Sequence, residues 1–585
     1  MNINLFIFNY KKIEIIFYKI KTKLNMDNTE ILQLGISKLN DFQKSVFTEC
    51  INKGSGGMSI PLGSGKTLTS IVLALEQTKE LNRPILIVVS KTLIESWIFE
   101  IKKFFSDNLK YIIFHTDYIK NIHNYIIPED VKLVITTPQI LSKTYKDYDI
   151  MSEFVIIDII NEGMFNQHTI KRYKTPLSPF INIKIGLPYL FSIKWGSLII
   201  DEVQKYTKIS TLTCQALGAI CSNHRWALSG TMFSEPSIER ILGFYIIIDD
   251  DTFPRSLPHA DKFIKSKYFK GFNTSIVSRK TNPCFVLPEI NQCIISHKLS
   301  YEEEVIYISM KQTMQIISDQ LKKFKFNRDV ENMRKFGSYL LAIICYLRQC
   351  IISPILPIAN IALDMSDFQN KSELSQILLT EIKKLNIDDW LNDENSVKST
   401  RMAEALKIVD KHESDNIVIF MCFRTSLDIF KTFLKDDRKI YTISGTMSSI
   451  KRSETLEKFK KKSDNGKGNI LLLTYEIGSE GLNLQISNTI LLVDFFWNDG
   501  KTKQAIARIL RYGQLSPVVN IYLFTSNTAI EKAMFEKHDL KLTILKELSE
   551  GTSKTKLKTM NVNEIIKIVN TEENINAIDK INSKY

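Results

Sequence analysis

The sequence predicts an α/β protein made of two parallel-sheet lobes with a helical insert between them. Three observations carry that expectation. Short β-branched runs alternate with amphipathic helical stretches from about Asp41 to Asp201, and a second such series begins after residue 400. The stretch from about 300 to 400 shows helical periods and no strand pattern. Strands that are apolar along their whole length need cover on both faces, which helices supply in a parallel α/β sheet; a sheet with one wet face alternates apolar and polar residues instead.

Residues 1–25 mix apolar residues with Lys11, Lys12, Lys19, Lys21 and Lys23, which break any run long enough to span a bilayer. Met26 followed by DNTEILQL reads as the more natural start, so 1–25 is expected to be an extension without function. Residues 26–295 form the expected first lobe, with strand runs PILIVVS (84–90), KLVITT (132–137) and WGSLIIDE (195–202). The segment 142–194 exceeds what that connection requires and reads either as an insertion with its own contacts or as a long surface excursion. Residues 296–400 read as helical insert and linker, from YEEEVIYISMKQ to the proline-containing ISPILPIANIAL. The second lobe, 401–546, carries NIVIFMCF (416–423), KIYTISG (439–445), NILLLT (469–474), NTILLVDF (488–495) and VVNIYLF (518–524). The tail, 547–585, is polar and Lys-rich and ends in a loose helical pattern without chemistry.

A chain of 585 residues that is 44% hydrophobic and 24% charged can bury large cores, which excludes global disorder and collagen-like structure. Lys plus Arg, 77, against Asp plus Glu, 64, leaves a net charge of +13, which favours a polyanionic partner; nucleic acid and a membrane surface both fit charge alone. The 8 cysteines include no Cys-x-x-Cys pair, and the 8 histidines stand at no metal-ligand spacing, so neither a disulfide framework nor a zinc site is expected. Cys345 and Cys350, in the apolar YLLAIICYLRQC, read as buried thiols, and the compartment as reducing and intracellular.

The strongest local signal is IPLGSGKTLTS, residues 60–70. Gly63, Ser64 and Gly65 let backbone N–H groups wrap phosphate oxygens; Lys66 reaches the outer phosphates, Thr67 offers a hydroxyl to Mg²⁺, and the helix that follows supplies partial positive charge. The general phosphate-loop pattern has Gly where Ile60 stands. Downstream, WGSLIIDEVQ puts Asp201 and Glu202 at the end of an apolar strand, in the crevice such a loop faces, with Asp201 for Mg²⁺ and Glu202 for the attacking water. The pair of signals reads as an ATPase using ATP and Mg²⁺. In the second lobe Gln504, Arg508 and Arg511 are spaced for one helical face, and Arg511 first, Arg508 second, are candidates for neutralising transition-state charge. Trp97, Trp195 and Trp497 read as core anchors.

Taken in order, these motifs resemble the Swi/Snf family of superfamily 2 helicase-like ATPases over roughly residues 39–540. LNDFQKSVF (39–47) is similar to the family's opening motif and implies Gln43 near the adenine. PILIVVSKTLIESWIFEIKKFF, VITTPQIL and LSGTMF resemble successive motifs of a first RecA-like lobe, and SIVSRKTNPCFVLPEI (275–290) the stretch that leaves it. ISGTMSSIKRSETLEKF, LLTYEIGSEGLNL and QAIARILRYGQ resemble those of a second, the Arg-x-Gly-Gln ending being the most family-specific string. The resemblance implies coupling roles for Gln204, Ser229, Gly230, Thr231, Gln504 and Gln514. It implies backbone phosphate contacts at Lys91, Thr136, Thr137, Arg424, Ser444, Gly445 and Thr474.

Two positions depart from the family pattern: Gln204 stands where it usually has His, and Met232 where it usually has Pro. Gln204 keeps a donor for the coupling motif. The implied activity is a nucleic-acid-stimulated ATPase that moves on double-stranded DNA and remodels nucleoprotein in transcription, repair or chromatin. RNA is the alternative partner for a superfamily 2 RNA helicase, and a nucleic-acid-binding scaffold with weak turnover is the third reading. Transcription or chromatin proteins are candidate partners, without a membrane or an obligate oligomer. The expected location is the nucleus or a cytoplasmic viral replication site, not the secreted space, and a large DNA virus suits the A+T-rich composition.

Overall fold

The computed structural model describes residues 28–146, 189–279, 288–366, 373–383 and 399–570, apart from positions 62, 82, 121, 123, 124, 234, 236, 267, 435–437, 446, 462–465, 479–481, 512 and 551–561. The expectations for 1–25, for most of 142–194 and for the last residues of the tail fall outside the described residues. The chain divides into a first unit, 1–285 with 544–557, and a second, 286–543 with 558–585.

The first unit is built on a seven-stranded sheet in the order β3-β4-β2-β5-β6-β1-β7. Its strands are β1 (Gly56–Ser59), β2 (Ile85–Val88), β3 (Tyr111–Phe114), β4 (Leu133–Thr136), β5 (Trp195–Ile200), β6 (Ser222–Ser229) and β7 (Ile276–Ser278), all paired in parallel. β2, β4 and β5 are buried at every residue, which is why their sequences are unbroken apolar runs. Helices Asp41–Lys53, Lys66–Thr78 and Ile94–Phe105 bring Val46, Ile71, Trp97, Ile101 and Phe105 onto one face, against Ile87, Ile199, Trp226 and Leu228. Each such side chain contributes about 1.5–3 kcal/mol of transfer free energy. Because every strand runs the same way, the residues that follow β1, β2, β4, β5 and β6 all emerge at one edge of the sheet.

The second unit holds a six-stranded sheet, β10-β11-β9-β12-β13-β8, again parallel throughout. β9 is Ile417–Met421, β10 Ile440–Ile443, β11 Ile470–Thr474, β12 Thr489–Leu492 and β13 Val518–Ser526. β8, Glu289–His297, is a finding against the sequence reading, which carried the first lobe to 295. This strand pairs with β13 over nine positions and forms the edge of the second sheet. As an edge strand it keeps Glu289, Asn291 and most of its neighbours exposed or half-buried, so it lacks the apolar signature of the central strands.

The insert is a helical hairpin, Tyr301–Phe326 and Val330–Ile352, whose Ile306, Met310, Met314 and Ile317 pack on Phe336, Leu340, Ile343 and Leu347. Val330–Ile352 is long and apolar enough to cross a membrane by composition, yet this apolar stripe lies inside the hairpin core. Cys350 is buried there as expected, whereas Cys345 lies on the outer face and is exposed. Part of the tail is also packed: helix Val562–Asn570 buries Ile565 and Val569 in the same core.

Two buried carboxylates, Glu303 of the hairpin and Glu531, meet the start of the helix Thr400–Lys411. Glu303, in the capping box with Ser300, also accepts from Thr400 N (2.6 Å) and Thr400 Oγ1 (2.8 Å). Arg401, 1% exposed, meets both carboxylate oxygens of Glu531 (2.7 and 2.9 Å), the carbonyl of Val493 (3.2 Å) and Nε2 of His297 (3.3 Å). Burial, with Arg401 beside it, pushes the His297 imidazole down to about 3, so the ring is neutral and its Nε2 accepts. Removing one member strands a buried charge. Arg401→Ala is expected to cost about 3–5 kcal/mol, read as a lowered urea midpoint of the second unit, while Arg424→Ala at the surface shifts it by less than about 0.5 kcal/mol.

Candidate functional site

The loop between β1 and helix Lys66–Thr78 is held in a left-handed shape by two glycines, Gly63 at φ 81° and Gly65 at φ 79°. Gly65 is the helix N-cap and offers no capping side chain. A Cβ at Gly65 would lie 2.0 Å from Nε2 of Gln43, so a side chain there would collide with the group that supports the loop. Gln43 donates from Nε2 to the carbonyl of Ser64 (3.2 Å), while its Oε1 accepts from Asn40 N (2.9 Å) in the cap of its own helix. Its amide therefore braces the loop at one end and the preceding helix at the other. Lys66 Nζ lies within reach of the carbonyls of Ile60 (3.3 Å) and Pro61 (3.4 Å), and the buried Ser64 hydroxyl has no hydrogen-bond partner among the described residues. Left-handed glycines, a helix start without a side-chain cap and a lysine folded over the loop suit a phosphate chain.

β5 ends at Ile200 and delivers Asp201 and Glu202 to the same sheet edge. One oxygen of Asp201 accepts from the indole N–H of Trp97 (3.0 Å) and the other from Glu202 N (2.9 Å). Burial, then the charge of Glu202, lifts the Asp201 carboxyl to about 6 despite the opposing pull of Trp97 and Lys66. Glu202, 6% exposed, is a non-glycine residue in left-handed backbone, φ 51°. Its Oε2 accepts from the amide of Gln204. That donor was expected to reach the coupling motif; the turn after Glu202 folds it back onto the carboxylate instead, and Gln204 Oε1 is left buried without a partner among the described residues. Ser229 is buried at the end of β6 and its hydroxyl accepts from Thr231 N (2.9 Å), past Gly230. Met232 packs where a Cβ on Gly57 would stand 3.0 Å away.

Among the described residues no cluster of three or more His, Cys, Asp or Glu could hold a metal by itself. The Thr67 hydroxyl and the Asp201 carboxylate are hard oxygen donors of the kind Mg²⁺ takes when phosphates and water complete its shell, so these residues fit a nucleotide-borne ion.

The residues expected to touch nucleic acid separate into two groups. Lys91 is exposed and paired with Asp117 (2.6 Å). Arg424 is exposed at the start of its helix, Gly445 is exposed, and Ser444 and Thr474 are half-buried after β10 and at the end of β11. Thr136 and Thr137 are fully buried. The Thr136 hydroxyl donates to the carbonyl of Phe114 (2.9 Å), and that of Thr137 accepts from Ile140 N (3.4 Å), so both are engaged inside the protein.

The arginines of the second unit also differ from the sequence reading. The helix Asp499–Ile506 carries Gln504 but stops before Arg508 and Arg511, which lie in the turns that follow. Arg508 Nε donates to the carbonyl of Gly478 (3.1 Å), and Arg508 O accepts from Leu484 N (3.2 Å), pulling the chain out of helical register. Gly513 at φ 88° completes the turn, and Gln514 Nε2 fastens it to the carbonyls of Ser487 (2.9 Å) and Ile509 (3.2 Å). Arg348, from the hairpin, was not singled out by sequence. It is 8% exposed, donates to the carbonyl of Phe495 (2.7 Å) and lies 5.2 and 5.5 Å from the rings of Phe423 and Trp497. One guanidinium thereby joins the turn carrying Arg424 to the one leading into the Gln504 helix. The available signal was a lone arginine in an apolar helical run.

Residues 46–249 match the SNF2-related domain, and residues 398–513 the helicase conserved C-terminal domain. Putative helicase 172L of Invertebrate iridescent virus 6 is 26% identical over 82% of this chain and 82% of its own. The DNA repair and recombination protein RAD54-like of Drosophila pseudoobscura pseudoobscura is 25% identical over 64% of this chain, and the ISWI chromatin-remodeling complex ATPase ISW2 of Saccharomyces cerevisiae 24% over 88%. The alignments span 49% and 41% of those two longer relatives. The Sulfolobus solfataricus SWI2/SNF2 ATPase core in complex with dsDNA aligns over 92% of this chain and 98% of its own, at 17% identity and a TM-score of 0.34.

The indole bond makes Trp97 more than a core anchor. Trp97→Phe keeps the ring and removes the donor, and is expected to raise the Mg²⁺ concentration giving half-maximal ATP hydrolysis while leaving nucleotide binding without metal unchanged. At limiting Mg²⁺, wild-type hydrolysis is expected to fall as the pH drops through about 6 and Asp201 takes a proton, and to recover when Mg²⁺ is raised; both are read from Mg²⁺ titrations at several pH values.

Proposed function

We propose that the chain is a member of the Swi/Snf family of helicase superfamily 2 and an ATP-dependent translocase on double-stranded DNA that remodels nucleoprotein. The observation that carries the reading is the joint placement, on one sheet edge, of a left-handed glycine loop opening onto Lys66 and Thr67 and of the Asp201–Glu202 pair. Backbone N–H groups of residues 63–67 and the Lys66 ammonium bind the phosphates, Thr67 and Asp201 hold Mg²⁺ against them, and Glu202 orients the attacking water. Gln43 stiffens the loop and stays in reach of the base. Arg511 first, and Arg508 second, supply charge to the transition state. Mg²⁺, when bound, neutralises phosphate charge as it develops.

The Arg-x-Gly-Gln ending at 511–514 and the relatives named for DNA repair and for chromatin remodelling support duplex DNA over RNA. Lys91, Arg424, Ser444, Gly445 and Thr474 are the phosphate contacts this reading keeps. Contacts of that type position a protein on DNA without reading sequence, as a translocase requires. Gln204, with its donor turned to Glu202, favours slow turnover as the second reading.

The test is ATP hydrolysis with duplex DNA, single-stranded DNA or RNA at one fixed salt concentration. Duplex DNA is expected to stimulate most. Lys66→Ala and Glu202→Gln should abolish turnover with the fold intact, and Arg511→Ala should lower the rate about 10³-fold or more while ATP still binds. Stimulation by RNA alone would replace the partner, and nucleic-acid binding without turnover under any condition would leave a scaffold.

A further inference from the structure

The charge on the helical hairpin is concentrated at its tip. From Gln320 to Arg328 the sequence carries Lys322, Lys323, Lys325 and Arg328 and no carboxylate, and Arg334 and Lys335 follow on the second helix. Three of the four nearby acids are engaged, and Glu331 is exposed in the first turn of the second helix. Asp319 pairs with Lys322 (2.8 Å), Asp329 caps the second helix by accepting from Asn332 N (3.1 Å), and Glu373 pairs with Lys335 (2.6 Å). Lys323, Lys325, Arg328 and Arg334 are exposed and make no salt bridge among the described residues. Exposed cations crowded at one end of a hairpin, in excess over Glu331, repel one another and favour a bound anion.

Two further features distinguish this tip from a solvated helix face. The first is aromatic: Phe324 turns inward and meets Phe336 at 4.9 Å, but Phe326, two residues on, is 90% exposed, with Val330 beside the turn 57% exposed. Apolar side chains set among lysines and arginines are the composition that enters a nucleic-acid groove or stacks on bases. The second is rigidity. Arg328 is held in left-handed backbone at φ 57°, which costs a non-glycine residue on the order of 1–2 kcal/mol. The turn is closed by Asn327 N to Lys323 O (3.0 Å), Arg328 N to Lys325 O (3.3 Å) and Asp329 N to Phe324 O (3.0 Å). With the root of the hairpin fastened through Glu303 and Arg348, the cations are presented on a fixed frame, so little ordering entropy is lost on contact.

We propose that the tip of this hairpin, Lys323, Lys325, Phe326 and Arg328, is a binding surface for the phosphate backbone of duplex DNA, separate from the contacts at the strand ends. The cations neutralise phosphates and Phe326 lies against the groove wall. The proposal rests on duplex DNA being the partner, and deepens that reading by adding a contact the motif residues do not supply.

The test measures binding of a fluorescein-labelled 30-base-pair duplex by anisotropy between about 50 and 200 mM salt, for the full chain and for Lys323→Gln/Lys325→Gln/Arg328→Gln. Glutamine keeps helix propensity, and unchanged ATP hydrolysis without DNA shows that the variant folds. Each lost phosphate contact should flatten the slope of log K against log salt by about 0.9, so a change between about 1 and 3 supports the surface. Phe326→Ala should weaken binding with the slope retained. An unchanged slope and affinity in the triple variant overturns the proposal, as does loss of binding to poly-glutamate with duplex binding intact, which assigns the tip to an acidic protein. A wild-type chain that binds duplex but is not stimulated by it refutes the translocase reading and leaves this test standing.

Discussion

Two adjacent carboxylates stand at the end of a strand that is buried along its whole length, and the first unit is arranged around keeping them there. Asp201 and Glu202 repel each other, and burial raises the cost of charging Asp201. The answers are local. The indole of Trp97 reaches one Asp201 oxygen, the peptide N–H of Glu202 the other, and the amide of Gln204 turns back onto Glu202. Glu202 adopts left-handed backbone, a strain of the kind that persists where surrounding structure over-determines it. Lys66, on the adjoining loop, lowers the Asp201 carboxyl through its charge, so the phosphate-binding cation and the metal-binding anion support one another.

In the second unit the corresponding task falls to buried arginines. Arg401 gathers the end of β8, the residue after β12 and the start of the last long helix around Glu531. Arg348 reaches from the hairpin to the turns after β9 and β12. Neither side chain touches solvent freely, and each satisfies backbone carbonyls as well as a charged or aromatic partner, as a buried guanidinium requires. The root of the hairpin is thus joined to the carboxyl edge of the sheet on which Arg424 and Thr474 stand.

How much of this was legible in the sequence follows from burial. β2, β4, β5, β9, β11 and β12 announced themselves, from ILIV at 85–88 to IVIFM at 417–421, because both faces are covered. β1, GGMS, did not: Gly57 is needed where Ile276, Met232 and Phe244 crowd the backbone, and two glycines in four residues leave no strand signature. β6 opens with Ser-Asn-His-Arg, and β8 is an exposed edge, so polar residues conceal both. The phosphate loop and the acid pair were readable because their chemistry depends on backbone shape next to a few obligatory side chains. Trp97 and Arg348 were not, since what makes each of them matter is a partner about a hundred positions away or more, Asp201 for one and Phe495 for the other.

The threonines show where analogy by position runs out. Thr136 is the last residue of β4 and points its hydroxyl at the carbonyl of Phe114, because a β-branched side chain in a covered strand must satisfy its oxygen within the sheet. Thr137, one residue on, caps the turn that follows. Thr474 closes β11 by the same rule of position, but it is half-buried and the short helix Tyr475–Gly478 follows it directly. Residues of one type at one kind of strand end therefore differ in what they can offer a phosphate. The difference is set by whether the next strand or the solvent lies opposite, and neighbouring sequence does not encode it. For Gln204 the limit is the inventory of the side chain: two donors and an acceptor face Glu202 and a buried wall, and the acceptor remains without a bond among the described residues.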